Sequence, residues 1–310
     1  MKFAIGIDLG GSHITAAIVD QNGRIRARKK ISFSKAPNGK HGLRLITKLI
    51  KSLIHNSSFI THNCHGVGLA CPGGVDSAKG IVLADSPNLI GWKGTLIKQE
   101  LEKTLKIPVF IDNDANLAAW GEKCWGAGKG ARNLICLTLG TGVGGGIIID
   151  NKIYRGSHFY AGEIGHMNVD PNGPICSCGK PGHLEALVSG PAIVERYASY
   201  TLHAPRSTLN AKHIFNLARK GDRSAQLVVN RTAHYLGIAI ASLINIFDPE
   251  MVVIGGGVAQ AGDILFRPLR KVVKISIMKH PYRRPKIVPA RLGEDAGLIG
   301  AAALALHQRL

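Results

Sequence analysis

The chain has 310 residues, of which 45% are hydrophobic and 19% charged, so it can bury the core of two domains or of one large domain with a bisecting cleft. Its formal net charge of +19 favours anionic partners, which range from nucleotides and polyphosphate to nucleic acid. The basic residues are dispersed and only 5% of the residues are aromatic, so we interpret the charge as a basic solvated surface and expect no nucleic-acid partner.

The cysteines and the N-terminal segment indicate the compartment. Of six cysteines only Cys176 and Cys178 are closely spaced, which fits a metal site in a reducing compartment better than a disulfide framework. After Lys2, five apolar or glycine residues precede Asp8, too few for the apolar segment of a secretory signal. No apolar run approaches the roughly 18 residues that a spanning helix needs. We therefore expect a cytoplasmic protein without a membrane partner.

The first predicted elements are two strands joined by a glycine turn. An apolar strand that starts at residue 3 leads to Asp8, and the turn that follows contains Gly10, Gly11 and Ser12. Glycine lets an anion approach the backbone closely, so the N–H groups of such a turn can bind a phosphate.

A helix and two short strands come next. Apolar spacing predicts a helix over 42–54 and buried strands over 67–70 and 109–111. Between the strands lies a loop-like segment with Asn88, whose amide can donate and accept hydrogen bonds to a polyol. The alternative for Asn88 is a residue of an Asx turn.

A polar cluster follows the second of these strands. Residues 112–116 read Asp-Asn-Asp-Ala-Asn, and helix-forming residues come after them. One or two Asx residues suffice to cap a helix, so the others are free for chemistry, and Asp114 is the candidate. The helix dipole would hold a carboxylate ionised at this position, which suits it to accept a proton from a hydroxyl late in phosphoryl transfer.

A second strand–turn–strand unit begins about 130 residues after the first. Its turn contains Thr138, Gly140, Thr141 and Gly142. Two such units, each with hydroxyl side chains, predict paired phosphate-binding turns in a duplicated α/β fold with a cleft between the copies. The turn lacks the Gly-Lys-Ser/Thr ending of a P-loop, and it leads into a strand instead of the helix of a dinucleotide fingerprint.

A potential zinc site follows the second unit. His166, Cys176, Cys178 and His183 supply four nitrogen or sulfur ligands, the number that a tetrahedral zinc takes. Because no position stays open, such a site is structural, and the metal would fasten a loop.

Two carboxylates, Glu163 and Glu185, bracket these four residues. With the metal held by nitrogen and sulfur, the carboxylates stay available as acceptors for sugar hydroxyls. A structural ion pair is the alternative for either residue.

The C-terminal part combines long apolar elements with a run of glycines. A helix is predicted over 227–247, and a strand over 251–254 runs into Gly255, Gly256 and Gly257. Three glycines let a flat ring or a ribose approach the backbone, whereas a tight turn between strand and helix is the simpler alternative. The final segment is rich in alanine and favours a helix.

Nine short motifs are spread nearly from end to end of the chain. They occupy 8–11 (DLGG), 71–76 (CPGGVD), 87–92 (PNLIGW), 112–116 (DNDAN), 139–146 (LGTGVGGG), 163–166 (EIGH), 176–179 (CSCG), 247–250 (FDPE) and 254–257 (IGGG). In combination these motifs are highly specific for a single protein family. They resemble the ROK family of sugar kinases and sugar-responsive repressors, and specifically its bacterial glucokinase-like members.

The resemblance implies the duplicated hexokinase/actin-like (ribonuclease H-like) fold. In such a fold ATP with Mg²⁺ and a hexose meet in a cleft between two α/β domains. We expect a small domain over 1–117, completed by a C-terminal helix over 294–310, and a large domain over 118–293 that carries the zinc loop. The resemblance also points to a homodimer.

The resemblance further implies a role for each candidate residue. Asp114 would be the general base that takes the proton from the sugar hydroxyl, and Asp8 would face the magnesium through water. His166 would bind zinc with one ring nitrogen and fix the sugar with the other. The residues implied to hold the sugar are Asn113, Glu163, His166 and Glu185. The turns implied to cradle phosphates are Gly10-Gly11 and Gly140-Thr141-Gly142, and the segment implied to border adenosine is Gly255 to Gly257.

Two positions depart from the usual pattern of the family. The family usually has cysteine where His183 stands. Two cysteines and two histidines still satisfy zinc, but they make the site roughly neutral instead of negative. His13 replaces a common lysine beside the first glycine turn, which affects only a peripheral contact.

The combined interpretation is an ATP-dependent kinase that phosphorylates a hexose. The expected substrate is D-glucose, phosphorylated at its 6-hydroxyl. Mannose, fructose or N-acetylmannosamine are alternative acceptors, and the net charge of +19 makes polyphosphate an alternative donor. A sugar-responsive repressor is the alternative of another class. Such relatives carry a winged-helix domain ahead of the kinase fold, and the first predicted strand begins too early to leave room for one.

Overall fold

The computed structural model describes residues 1–33, 37–55, 63–86, 89–201, 209–281 and 285–307. The strands, in chain order, are β1 (Phe3–Leu9), β2 (His13–Asp20), β3 (Ile25–Ser32), β4 (Cys64–Cys71), β5 (Val75–Asp76), β6 (Ile81–Val82), β7 (Val109–Asn113), β8 (Leu134–Leu139), β9 (Val143–Ile149), β10 (Lys152–Ile153), β11 (Met251–Gly255) and β12 (Lys286–Pro289). The α-helices are α1 (Gly39–His55), α2 (Ile97–Leu105), α3 (Asp114–Trp125), α4 (Leu184–Val188), α5 (Gly190–Tyr200), α6 (Ala211–Arg219), α7 (Arg223–Phe247), α8 (Asp263–Ser276) and α9 (Ala296–His307).

The long strands form two sheets of the same design. Within the described part of the chain each sheet has five strands, in the orders β3-β2-β1-β4-β7 and β10-β9-β8-β11-β12. Each sheet starts from an antiparallel hairpin, β1–β2 or β8–β9, and two later strands join it in parallel. The predicted duplicated α/β fold, with a glycine-turn hairpin opening each half, is therefore confirmed.

The predicted helices lie where apolar spacing placed them, with small shifts at their ends. The helix expected over 42–54 is α1, and the alanine-rich C-terminal helix is α9. The helix expected over 227–247 is α7, which begins one turn earlier because the Asp222 side chain caps it, accepting a hydrogen bond from the Ala225 backbone at 2.7 Å.

Two helices, α3 and α9, lie between the sheets. Helix α9 packs on β1, β4 and α3, and α3 packs on β8 and β9. The approach is so close that a Cβ at Gly68 would overlap the backbone of Ala301, and a Cβ at Gly300 would overlap that of Leu117. The α3–α9 pair thus connects the halves of the molecule. The predicted boundary between residues 117 and 118 passes through α3, and the division into domains stays a prediction.

Helix α7 has 25 residues and is long and apolar enough to cross a membrane by length and composition alone, although the sequence predicted no such segment. However, 67% of its most apolar 18-residue window is buried inside the protein. Its buried side chains, among them Leu236, Ile240 and Ile244, pack in one core with β8 and β11. This burial is typical of a core helix in a globular fold.

Candidate active site

A cavity of about 470 Å³ brings together residues from both halves of the chain. Its walls are the end of β7 with the start of α3, the turn between β8 and β9, and the loop that follows β10. The predicted site residues that line it are Asn113, Asp114, Thr138, Gly140, Thr141, Gly142, Glu163, His166, Glu185 and Gly256. Residues more than 100 positions apart in sequence therefore share one cleft.

The start of α3 places Asp114 at the cavity. Asn113 is the helix cap, since its side-chain oxygen accepts hydrogen bonds from the Ala115 and Asn116 backbones at 2.9 and 3.1 Å. Its amide nitrogen donates to the Gly73 carbonyl at 3.1 Å, which connects the helix start to a loop of the first half. The cap leaves Asp114, the first residue of the helix, with a carboxylate that is not needed for capping.

Asp114 is mostly ionised at pH 7, as expected, but its pKa is governed by burial and neighbouring charges more than by the helix dipole. Burial raises its pKa to about 6, outweighing the backbone N–H of Ala115, which donates to its Oδ1 at 2.8 Å. The negative charges of Asp8 and Glu163 raise this pKa further. A carboxyl with a pKa near 6 is mostly ionised at pH 7 and still basic enough to accept a proton, as a general base requires.

Asp8 lies at the end of β1, two strands away from β7. Residues Asp8, Ala70 and Asp112 are in register on neighbouring parallel strands. Burial raises the pKa of Asp8, and the charges of His13 and Lys30 oppose this shift. Asp8 does not line the cavity, but its charge acts on Asp114.

The first glycine turn closes on itself beside Asp8. The Gly10 backbone donates to the His13 carbonyl at 2.9 Å, and the Ser12 hydroxyl lies 3.0 Å from Nδ1 of His13. The structure does not bring this turn into the wall of the cavity. The predicted nucleotide-contacting residues that lie outside the lining are Gly10, Gly11, Ser12, Gly255 and Gly257.

The second glycine turn borders the cavity directly. The Gly140 backbone donates to the Gly142 carbonyl at 2.9 Å, and apart from its chain neighbours no described residue lies within 4 Å of where a Gly140 side chain would begin. A Cβ at Gly142, in contrast, would lie 2.6 Å from Oε2 of Glu185. Glycine at 142 therefore lets this turn and the Glu185 carboxylate approach each other closely.

The two acids are held differently. Oε2 of Glu185 accepts a hydrogen bond from the Val143 backbone at 3.0 Å, and Oε1 accepts one from the Ser177 hydroxyl at 2.8 Å. Oε2 of Glu163 lies 3.8 Å from Nε2 of His166. The Glu185 carboxylate is thus fixed by neutral hydrogen-bond donors. The Glu163 carboxylate makes only a longer contact, with the exposed imidazole of His166, among the described residues.

The four predicted zinc ligands form one cluster, with donor atoms that all lie within 4.8 Å of one another. Nδ1 of His166 lies 3.8 Å from Sγ of Cys176, and Nδ1 of His183 lies 3.2 Å from Sγ of Cys178. Ligands on a tetrahedral zinc are separated by about 3.4–3.8 Å, given bond lengths of about 2.0–2.3 Å. The donor set and its spacing therefore fit zinc.

Sequence reasoning missed several residues of the cavity wall. Tyr160 lines it and packs so closely on Gly74 that a side chain there would overlap the phenol ring. Ser86 also lines it, and its buried hydroxyl has no hydrogen-bond partner within the described residues. Buried Oδ1 of Asn116 is likewise unpartnered in that part of the chain. The predicted sugar-binding residue Asn88 lies outside the described residues.

Sequence reasoning also missed the role of Arg155, which lies outside the cavity wall. Its guanidinium contacts Asp112, which the sequence grouped with the capping cluster. An arginine gives no local signal of such a role, because the two residues are 43 positions apart.

The comparisons with known proteins agree with the motifs. The ROK family model matches residues 4–308. A glucokinase of Thermotoga maritima is 38% identical, over 97% of this chain and 96% of its own length. A ROK family glucokinase from Streptomyces griseus, crystallised in complex with glucose and AMPPNP, is 36% identical with a TM-score of 0.81, and the match covers 98% of this chain and 99% of that one. A xylose repressor of Bacillus subtilis is 30% identical over 99% of this chain, which spans 78% of the repressor.

These matches extend over nearly the whole chain, and they confirm both the resemblance stated from the motifs and the hexokinase/actin-like fold that it implied. The chain belongs to the ROK family.

Proposed function

We propose that the protein is an ATP-dependent hexokinase that converts D-glucose to glucose 6-phosphate. The observation that carries the proposal is the position of Asp114, a carboxylate with a pKa raised to about 6 that lines the same cavity as a glycine turn. The similar Streptomyces griseus enzyme was crystallised with glucose and AMPPNP, which supports the same pair of substrates here.

In this proposal the chemistry needs one proton acceptor and a held sugar. Asp114 takes the proton from the 6-hydroxyl as its oxygen attacks the γ-phosphorus of ATP, and ADP leaves. Asn113, Glu163, His166 and Glu185 bind the other hydroxyls, with Asn88 as a further contact outside the described residues. The cavity lining supports this assignment, since the first four border the same space as the base.

The nucleotide would lie along the glycine segments. Backbone N–H groups of the two turns would bind phosphate oxygens, with hydroxyls from Ser12, Thr138 and Thr141, and the Gly255–Gly257 segment would border adenosine. Asp8, whose pKa is raised by burial, is an acceptor suited to the water shell of Mg²⁺. When bound, that ion neutralises charge on the transferred phosphoryl group.

Zinc is proposed as the structural fastener of the sugar-binding loop. His166 turns Nδ1 toward Cys176 and Nε2 toward Glu163, so one ring can belong to the metal cluster and to the sugar wall. Ser177 lies between two ligands and holds Glu185, which links the cluster to the second acid. The metal would take no part in phosphoryl transfer, because four protein ligands close its coordination.

The test is a coupled kinase assay with ATP against a panel of glucose, mannose, fructose and N-acetylmannosamine, with zinc measured on the same preparation. We expect glucose to give the highest kcat/KM. The absence of ATP-dependent phosphorylation for every hexose would refute the proposal. A different best acceptor would change only the substrate, since small changes in a pocket alter selectivity by about 1–3 kcal/mol.

Polyphosphate remains the alternative donor, favoured by the net charge of +19. Assays with ATP and polyphosphate on one preparation discriminate the two. The similarity to a xylose repressor, of which this chain spans 78%, makes a DNA-binding repressor the alternative of another class. A gel-shift experiment tests it, and we expect no retarded band. The two-domain division, the homodimer and the cytoplasmic location stay predictions.

A further inference from the structure

One buried ion pair connects the strand that leads to the proposed base with a loop of the other sheet. Nε and Nη2 of Arg155 contact Oδ2 of Asp112 at 2.7 and 2.6 Å. The Asp112 side chain is 1% exposed, and that of Arg155 is 24% exposed. Asp112 belongs to β7 of the first sheet, and Arg155 follows β10 of the second.

The other oxygen of Asp112 controls the first turn of α3. Oδ1 accepts hydrogen bonds from the Asn113 backbone at 2.8 Å and from the Asn116 side chain at 3.1 Å. Asp114 lies between these two residues. The carboxylate that Arg155 neutralises therefore also fixes the backbone from which the proposed base projects.

Arg155 also fixes the start of the loop that leads to the sugar-binding acids. Its carbonyl accepts a hydrogen bond from the Ala161 backbone at 3.1 Å, which closes the loop two residues before Glu163. From this closed loop the Tyr160 ring rests on Gly74 of the first half. The loop thus contacts the first half of the molecule at two places, through Tyr160 and through the Arg155–Asp112 ion pair. Of these two contacts, the ion pair is the buried one.

Neither Arg155 nor Asp112 lines the cavity. A purely structural role is a poor explanation for the pair, because well-packed apolar residues often stabilise a core as well as a buried ion pair does. What an apolar pair does not provide is a fixed direction and distance between two segments.

We propose that Arg155 is a positioning residue for phosphoryl transfer, which through Asp112 sets the distance between the base Asp114 and the sugar-binding loop. This inference rests on the proposed kinase function. It does not give Arg155 contact with the sugar or with ATP.

The experiment compares the variants Arg155→Met, Arg155→Lys and the double variant Asp112→Asn with Arg155→Met. The matched control is Arg132→Met, which removes an exposed arginine from an ion pair with Asp150 in the segments just before β8 and just after β9. For each protein we would measure kcat, the KM values of hexose and ATP, equilibrium hexose binding without ATP, and the melting temperature. Wild-type turnover in the same assay tests the kinase function separately.

For Arg155→Met we expect kcat to fall at least ten-fold and the KM of ATP to change less than two-fold. Arg155→Lys keeps the charge but loses the two-point contact, so its kcat should lie between those of Arg155→Met and the wild type. The double variant removes the unpaired buried charge and should regain melting temperature without regaining kcat. Arg132→Met should match the wild type.

Two outcomes would overturn the inference while wild-type turnover stands. In one, folded Arg155→Met keeps kcat within two-fold of the wild type. In the other, the double variant regains kcat together with its melting temperature, which would reduce the pair to a structural role. If Arg155→Met does not fold, the double variant and Arg155→Lys decide between the same outcomes.

Discussion

Replacing Asp114 by asparagine should remove turnover and stabilise the protein at the same time. The amide keeps an oxygen that can accept the hydrogen bond from the Ala115 backbone, which is 2.8 Å long in the native protein. It cannot accept a proton, so we expect turnover to fall by about 10²–10⁴-fold while hexose binding stays measurable. The gain in stability follows because the ionised carboxylate is held in a buried place that disfavours its charge.

The magnitude follows from the pKa of this carboxyl. Folding raises it from 3.8 to about 6, roughly two units, and each unit corresponds to about 1.36 kcal/mol. Because the folded-state pKa is raised, the folded protein binds the proton more tightly than the unfolded chain, and stability falls as pH rises from about 4 to above 6. The loss is at most about 3 kcal/mol, because Asp114 is only partly buried by accessible surface and solvent screening reduces the loss. A neutral amide at this position would not suffer the loss, so the stabilisation by Asp114→Asn should be largest above pH 6 and disappear near pH 4.

Urea unfolding of both proteins between pH 4 and 8 measures this difference. The control is Asp20→Asn, since backbone donors at residues 22 and 24 and the Arg26 guanidinium lower the pKa of Asp20 despite its burial. That substitution should destabilise the protein above pH 4, the opposite sign. A destabilised Asp114→Asn at pH 7.5, or a gain that does not vary with pH, would refute the assignment of a raised pKa. Near-normal turnover of the variant would refute the base.

Three further results are expected. The kcat/KM of the wild type for the hexose should rise with pH, reach half its maximum near pH 6 and level off above about pH 7, as Asp114 of the free enzyme loses its proton, and a pH–rate profile that stays flat down to pH 5 would contradict this. Gly142→Ala should raise the hexose KM at least ten-fold, because the new Cβ would lie 2.6 Å from Oε2 of Glu185. Gly140→Ala makes no such contact with the described residues, so it should affect the KM of ATP instead. His183→Ala should lower the zinc content and raise the hexose KM through loosening of Glu163 and Glu185; unchanged kinetics together with a zinc-free wild type would exclude the metal.

The features that the sequence predicted correctly are those with a short-range physical cause. A glycine turn between two apolar strands favours a hairpin, and its repetition predicted the duplication that the two strand orders confirm. The sequence placed four metal-type ligands within 18 positions of one another, from His166 to His183, and their donor atoms lie within 4.8 Å. The sequence predicted that one or two of the Asx residues cap the helix without saying which, and the structure shows that Asn113 is the cap.

The pKa of Asp114 shows where local reasoning fails. The helix dipole favours the ionised form and can be read from the sequence, as can the first-turn position. The burial that outweighs it depends on how α3 packs between the sheets, and the charges of Asp8 and Glu163 arrive from positions 106 residues earlier and 49 residues later. The ionised form that the sequence predicted is the main form at pH 7, but the raised pKa could not be derived from the sequence, and the role of Asp114 as the base stays a prediction.

The omission of Arg155 has a different physical cause. A carboxylate at the end of a buried strand needs a partner, because an unpaired buried charge is costly. The buried strand predicted before Asp112 therefore implies that this residue has a cationic partner. The chain offers 39 lysines and arginines to meet it, and a net charge of +19 means that about half of them have no acid to pair with. In a protein with few lysines and arginines, only a few residues would be candidate partners of Asp112. In this protein many lysines and arginines are candidates, and only the packing of the loop after β10 against the end of β7 identifies Arg155 as the partner.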